Sequence, residues 1–102
     1  MMLAEYLHRQ REWSRRTFGA GKRTIGITKH IEKELREIRQ DPDDLMEWID
    51  VLILAMDGYW RAGGKPSDLA ELLREKQRIN FARTWPAPQS KDEATEHVRE
   101  PA

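Results

Sequence analysis

The sequence predicts an all-α fold, an antiparallel four-helix bundle followed by an extended C-terminal tail. Three observations lead there. Apolar residues recur at helical spacing in four separate segments, no run alternates with the period of a strand, and the connections between the segments are short. A chain of 102 residues holds one domain with a modest core, so a helical domain over residues 1–86 and a polar tail over 87–102 is the expected division.

In the first helix, residues 2–16, Leu3, Tyr6, Leu7 and Trp13 form one apolar stripe among many charges. Residues 17–22 hold Phe18, Gly19 and Gly21, which favour a loop. The second helix runs over 24–40 on the stripe Ile27, Ile31, Leu35 and Ile38, and Asp41-Pro42 stops it, because a residue before proline leaves the helical region. Asp41 then caps a third helix, 42–62, with Pro42 in its first turn and Gly63-Gly64 at its end. Ser67 can cap a fourth, to about residue 83, with Leu69, Leu72, Leu73 and Ile79 facing inward. After Trp85-Pro86 the chain is polar, with at most a short helical turn near 94–99.

Composition narrows the chemistry. Lys plus Arg and Asp plus Glu balance at 18 each, which argues against coating a nucleic acid or an anionic membrane. Cysteine is absent, so a metal would be held by oxygen or imidazole. The longest apolar run, residues 51–56, is too short for a membrane span, and the N-terminus carries no signal-peptide pattern, so a soluble cytoplasmic protein is expected.

Glu34 and Glu37 on the second helix, and Glu47 and Asp50 on the third, are each three residues apart. That spacing puts each pair on one face, and the turn between the helices lets the pairs meet. Four convergent carboxylates suit an octahedral oxygen site for Mg2+, with Mn2+ as a substitute, and such ions serve phosphate chemistry. The same acids can equally be solvated surface groups. Glu34 stands against that reading because it lies at the margin of the apolar stripe, beside His30 and Ile38, whereas the face of Glu47, Asp50, Leu54 and Asp57 reads as solvent.

On the fourth helix Lys76, Asn80 and Arg83 continue an apolar stripe as a polar one. They suit triphosphate oxygens, or else mark where the helix leaves the core. His30 is a candidate substrate contact or carboxylate orienter. Trp13, Phe18 and Trp85 lie near helix ends, where an aromatic closes a core edge or stacks on a base. The third helix carries more apolar surface than one small bundle covers, including Leu45, Trp48, Ile49, Leu52, Ile53, Met56, Tyr59 and Trp60, so a homo-oligomer is expected.

Together, Phe18-Gly19, His30-Ile31-x-x-Glu34-Leu35-x-Glu37-Ile38, Glu47-Trp48-x-Asp50, Asp57-Gly58-x-x-Arg61 and Lys76-x-x-x-Asn80-x-x-Arg83-x-Trp85-Pro86 span nearly the whole chain. With the closing Glu96-His97-Val98-Arg99, this pattern resembles the MazG-like all-α nucleotide pyrophosphohydrolases, in their phage and bacterial dATP/dGTP branch. The resemblance implies metal-dependent hydrolysis of a purine (deoxy)nucleoside triphosphate, dGTP or GTP first and dATP second, to the monophosphate and pyrophosphate. It implies Glu34, Glu37, Glu47 and Asp50 as metal ligands and Lys76, Asn80 and Arg83 as phosphate contacts. It also implies dimers, often paired into tetramers. The competing readings are a non-catalytic helical partner-binding module, and the same chemistry on a pyrimidine or damaged nucleotide.

Overall fold

A computed structural model describes residues 2–99; the expectations for residues 100–102 fall outside the described part. Four α-helices follow one another, α1 (Leu3–Phe18), α2 (Thr24–Gln40), α3 (Leu45–Arg61) and α4 (Leu69–Ala82), with a single 3₁₀ turn, Pro66–Asp68, before the last. Among the described residues there is no strand, so the all-α expectation holds. No helix is long and apolar enough to cross a membrane among these residues. The chain divides into two compact units, one reaching Leu69 and one beginning at Ala70.

The first unit is built on the α2–α3 hairpin. Ile27 lies against Gly58, and Glu37 neighbours Glu47, so residue numbers run in opposite directions along the two helices, which are antiparallel. The turn differs from the expected one in its cap. Asp44 N donates to Asp41 O (3.2 Å) to close the turn, and Asp44 is the residue whose Oδ1 accepts from Met46 N (3.0 Å), so α3 starts at Leu45 and not at Pro42. At the other end, Gly63 N donates to Trp60 O and Gly64 N to Tyr59 O, both at 3.0 Å, around Gly63 at φ 109°. Gly64 packs so closely on the Tyr59 ring that a β-carbon would collide with it. The Tyr59 hydroxyl then donates to Lys65 O (2.8 Å), which fixes the chain for its return.

Leu7 of α1, Met56 and Trp60 of α3, and Leu69 form the main core, with Tyr6, Ile53 and Tyr59 against it. Next to this core lies a buried ion pair. Arg61 Nε donates to Asp57 Oδ2 (3.0 Å), and Trp60 Nε1 donates to Asp57 Oδ1 (2.8 Å). The remaining guanidinium nitrogens donate to Gly21 O (2.8 Å) and to Ser14 Oγ and O (3.0 and 3.3 Å), tying α3 to α1 and to the loop after it. Asp57 and Arg61 are only 5% and 6% exposed, which corrects the reading of the Asp57 face as solvent. Periodicity missed it because the pair satisfies itself one helical turn apart.

Other expectations fail for local reasons. Helix α1 continues through Thr17 and Phe18 and ends at Gly19, φ 93°, two residues beyond the expected end. Leu35, Leu72, Leu73 and Ile79 are exposed, so of the apolar residues assigned inward on α4 only Leu69 is core. The helical turn near 94–99 does not form among the described residues. In its place Val98 N donates to Thr84 O (2.7 Å) in a single antiparallel bridge; one isolated turn gains too little for its nucleation cost. Along the first half of α3, Leu45, Trp48, Ile49 and Leu52 are exposed, Leu45 by 76%.

Replacing Arg61 by Met should cost about 3–5 kcal/mol, because it strands the Asp57 carboxylate in a buried site. Denaturant midpoints with an unchanged m value are the check, and the double variant with Asp57→Asn should recover part of the loss.

Candidate metal and nucleotide site

Near the turn that joins them, α2 and α3 bring acids together. Carboxylate oxygens of Glu34, Glu37 and Glu47 lie within 4.8 Å of one another. Glu34 is 6% exposed, on a helix face that also buries Ile27 and Ile38, so its margin position on the stripe becomes burial. His30, one turn earlier, brings Nε2 to 3.2 Å from Glu34 Oε1, and Lys33 Nζ lies 3.7 Å from Glu37 Oε1. The second oxygens of Glu34 and Glu47 are buried and have no hydrogen-bond partner. Buried carboxylate oxygens without donors are costly, and a cation is the natural partner for two that belong to one acidic cluster.

The electrostatics carry the same strain. The Glu37 carboxylate, with which Glu34 can share a proton, raises the Glu34 pKa, and burial and the charges of Glu37 and Asp50 raise it further, against His30. The same sharing holds Glu37 below its ordinary value, helped by Lys33. Burial, and then the nearby Glu37, push Glu47 up. Three oxygens in this proximity, with no thiolate or imidazole-only alternative, fit a hard divalent ion. Asp50 is exposed and lies outside the trio, but it borders the same cleft as Glu34 and its charge acts on that acid.

That cleft, about 220 Å3, runs from Glu34 and Asp50 past His30 and Ile27 to Trp13 and Phe18. The two aromatics meet edge to face, centroids 5.5 Å apart and planes at 86°, and each is about half exposed. They are therefore walls of an open cleft and not the seal of a core edge. The structure thus unites His30, Trp13 and Phe18 with two of the expected ligands.

Lys76, Asn80, Arg83 and Trp85 belong to the second unit. There, Arg83 Nη1 donates to Asn80 Oδ1 (3.3 Å), Trp85 Nε1 donates to Asn80 O (2.8 Å), and Trp85 meets His97 at 5.9 Å between ring centroids. Lys76 is exposed. Two groups of the cleft, Gln10 and Arg23, had not been picked out from the sequence. Gln10 shares the α1 face of Trp13 one turn away, a visible signal; Arg23 stands in a glycine-containing loop, where periodicity gives none.

This all-α arrangement, an antiparallel helix hairpin with an acid cluster at one end, matches the MazG-like architecture. The chain belongs to the dATP/dGTP pyrophosphohydrolase family, which it matches over residues 6–102. A solved structure with a TM-score of 0.76 and 27% identity covers 97% of this chain and 99% of its own; it is a cyanophage S-2L MazG-like pyrophosphohydrolase bound to dGDP and three catalytic Mn2+ ions per active site. The Eaa protein of Salmonella phage P22 is 37% identical over 92 residues, 87% of this chain. The chain spans 27% of that relative's length.

Binding of Mn2+ or Mg2+ to the acid cluster should raise the melting temperature, since a ligand held by the folded state alone stabilises it. In chelator, Glu37→Gln should melt no lower than the unaltered chain, having lost a like-charge contact, yet show no metal-induced rise. A rise of the same size in that variant would separate metal binding from the cluster.

Proposed function

We propose that this chain is a metal-dependent nucleoside triphosphate pyrophosphohydrolase acting on purine deoxynucleotides, guanine nucleotides first, and releasing the monophosphate and pyrophosphate. The observation that carries this reading is the trio Glu34, Glu37 and Glu47, with two buried oxygens lacking donors, of which Glu34 borders a cleft that also has aromatic walls. Family membership supports the reaction class, and the dGDP held by the S-2L protein supports guanine. The helical domain, residues 1–86, would carry the activity, with 87–102 an appended tail.

Glu34, Glu37, Glu47 and Asp50 would hold the metal, Mg2+ in the cell and Mn2+ in its place. Bound divalent ions supply charge neutralisation at phosphate oxygens and a lowered pKa for water. His30 fixes one Glu34 oxygen through the 3.2 Å contact and leaves the other free for a cation. The aromatic walls offer an apolar surface to a base. On chemistry alone, Lys76, Asn80 and Arg83 suit phosphate oxygens, Arg83 through its planar fork. The exposed apolar face of α3, from Leu45 to Leu52, supports a homodimer or a pair of dimers.

Incubation with a panel of ribo- and deoxyribonucleoside triphosphates and Mg2+ should yield monophosphate and pyrophosphate on chromatography; orthophosphate with diphosphate would overturn the mechanism. Glu37→Ala and Asp50→Ala should abolish turnover with the helical circular dichroism retained. Lys76→Ala and Arg83→Ala should raise KM, the latter more, and unchanged kinetics in both would remove them from the site. In sedimentation the chain should run as a dimer or larger, and Leu52→Glu should shift it toward monomer.

A further inference from the structure

The cleft has an order along α2 that an extended nucleotide shares. At about 1.5 Å per residue, His30 lies roughly 6 Å from Glu34 along the helix axis, Gly26 roughly 12 Å and Arg23 roughly 16 Å. Phosphate, sugar and base arrive in that sequence if the acids mark the phosphate end. At the far end, the Arg23 guanidinium lies over the Phe18 ring, 4.9 Å from its centroid, and beside Gly26, where a β-carbon would stand 3.6 Å from Nη2. Phe18, Gly26 and Arg23 all border the cleft.

Two arginines stand near this end, and their circumstances differ. Arg61 is engaged on Asp57, Gly21 and Ser14. The Arg23 guanidinium has no ion-pair or hydrogen-bond partner among the described residues; its aromatic contact uses none of its donors. A fork of donors with no acceptor matches two adjacent acceptors on a base edge. Guanine presents O6 and N7 there, whereas adenine offers N7 beside a donating amino group. Gln10, an uncharged polar group that also borders the cleft, carries both donor and acceptor and can face either base.

We propose that Arg23 is a specificity-determining residue, which reads the O6 and N7 edge of a 6-oxopurine held in the cleft beside its aromatic wall. The proposal rests on the nucleotide reading of this cleft. Gly26 leaves the α2 backbone open to the base, and the Phe18 ring holds the reading group in place. The absence of a competing carboxylate leaves Arg23 free for a neutral acceptor edge.

The test is calorimetric binding of dGDP, dIDP, 7-deaza-dGDP and dADP to the full chain with Mn2+, beside turnover of the corresponding triphosphates. The unaltered protein should bind dGDP and dIDP, which keep O6 and N7, more tightly than dADP, and 7-deaza-dGDP should be weakened. Arg23→Ala should weaken dGDP and dIDP about tenfold or more and dADP by less. Arg23→Lys keeps the charge and the stem over Phe18 but lacks the fork, so it should not restore the preference; it also serves as the readout if the alanine variant loses its helical signal. Equal losses for all bases, full rescue by lysine, or a preference unchanged in both variants would overturn the proposal while leaving the hydrolase reading intact. An Arg23-dependent preference among diphosphates with no triphosphate turned over would sustain it and defeat the hydrolase reading. A chain that binds none of the four would defeat both.

Discussion

Everything in the first unit answers to one constraint, the need to hold like charges together. Three carboxylates within 4.8 Å of one another repel, and the hairpin must keep α2 and α3 in register against that repulsion. The register comes from apolar contact further along the same faces, where Ile27 lies on Gly58, and from the Asp44 cap that starts α3 at Leu45. The same antiparallel pairing that sets Ile27 against Gly58 brings Glu47 up to Glu37. Repulsion at one end of the hairpin is offset by packing at the other.

The second support is the ion pair beside the core. A core of Leu7, Met56, Trp60 and Leu69 is small, and a protein of this size has little hydrophobic surplus. Arg61 reaches the backbone carbonyls of Ser14 and Gly21, groups that no apolar side chain could satisfy. A polar clamp thus completes the packing where α1 ends and the glycine-containing loop passes over α3.

Much of this was legible in the sequence where one physical signal dominated. The four helices followed from apolar periodicity, and α2 ends where expected, because Asp41-Pro42 is an unambiguous stop. Glu34 stood out because a carboxylate at the edge of an apolar stripe needs a partner, and the structure buries it. What stayed hidden depended on tertiary partners. Asp57 shares a helix face with Glu47 and Asp50, and nothing in a wheel tells a solvated acid from one clamped by an arginine four residues on, although the Asp57-x-x-x-Arg61 spacing was there to see. The cap of α3 was misplaced because Asp41 and Asp44 are both good caps, and only the turn geometry chooses. Leu72, Leu73 and Ile79 illustrate the converse, since an apolar stripe shows that a face wants cover without showing that the same chain supplies it.

The reach of Arg61 has a mechanical meaning. Its guanidinium ties α3 to Ser14, the residue after Trp13, and to Gly21, three residues past Phe18. The aromatic wall of the cleft is therefore bolted to the helix that carries Glu47 and Asp50, and the gap between wall and acids is gauged by a side chain that borders neither. On the proposed reading, change in that gauge would alter how large a base the cleft admits while the acids themselves stayed as they are, so that base size and metal binding would answer to different side chains.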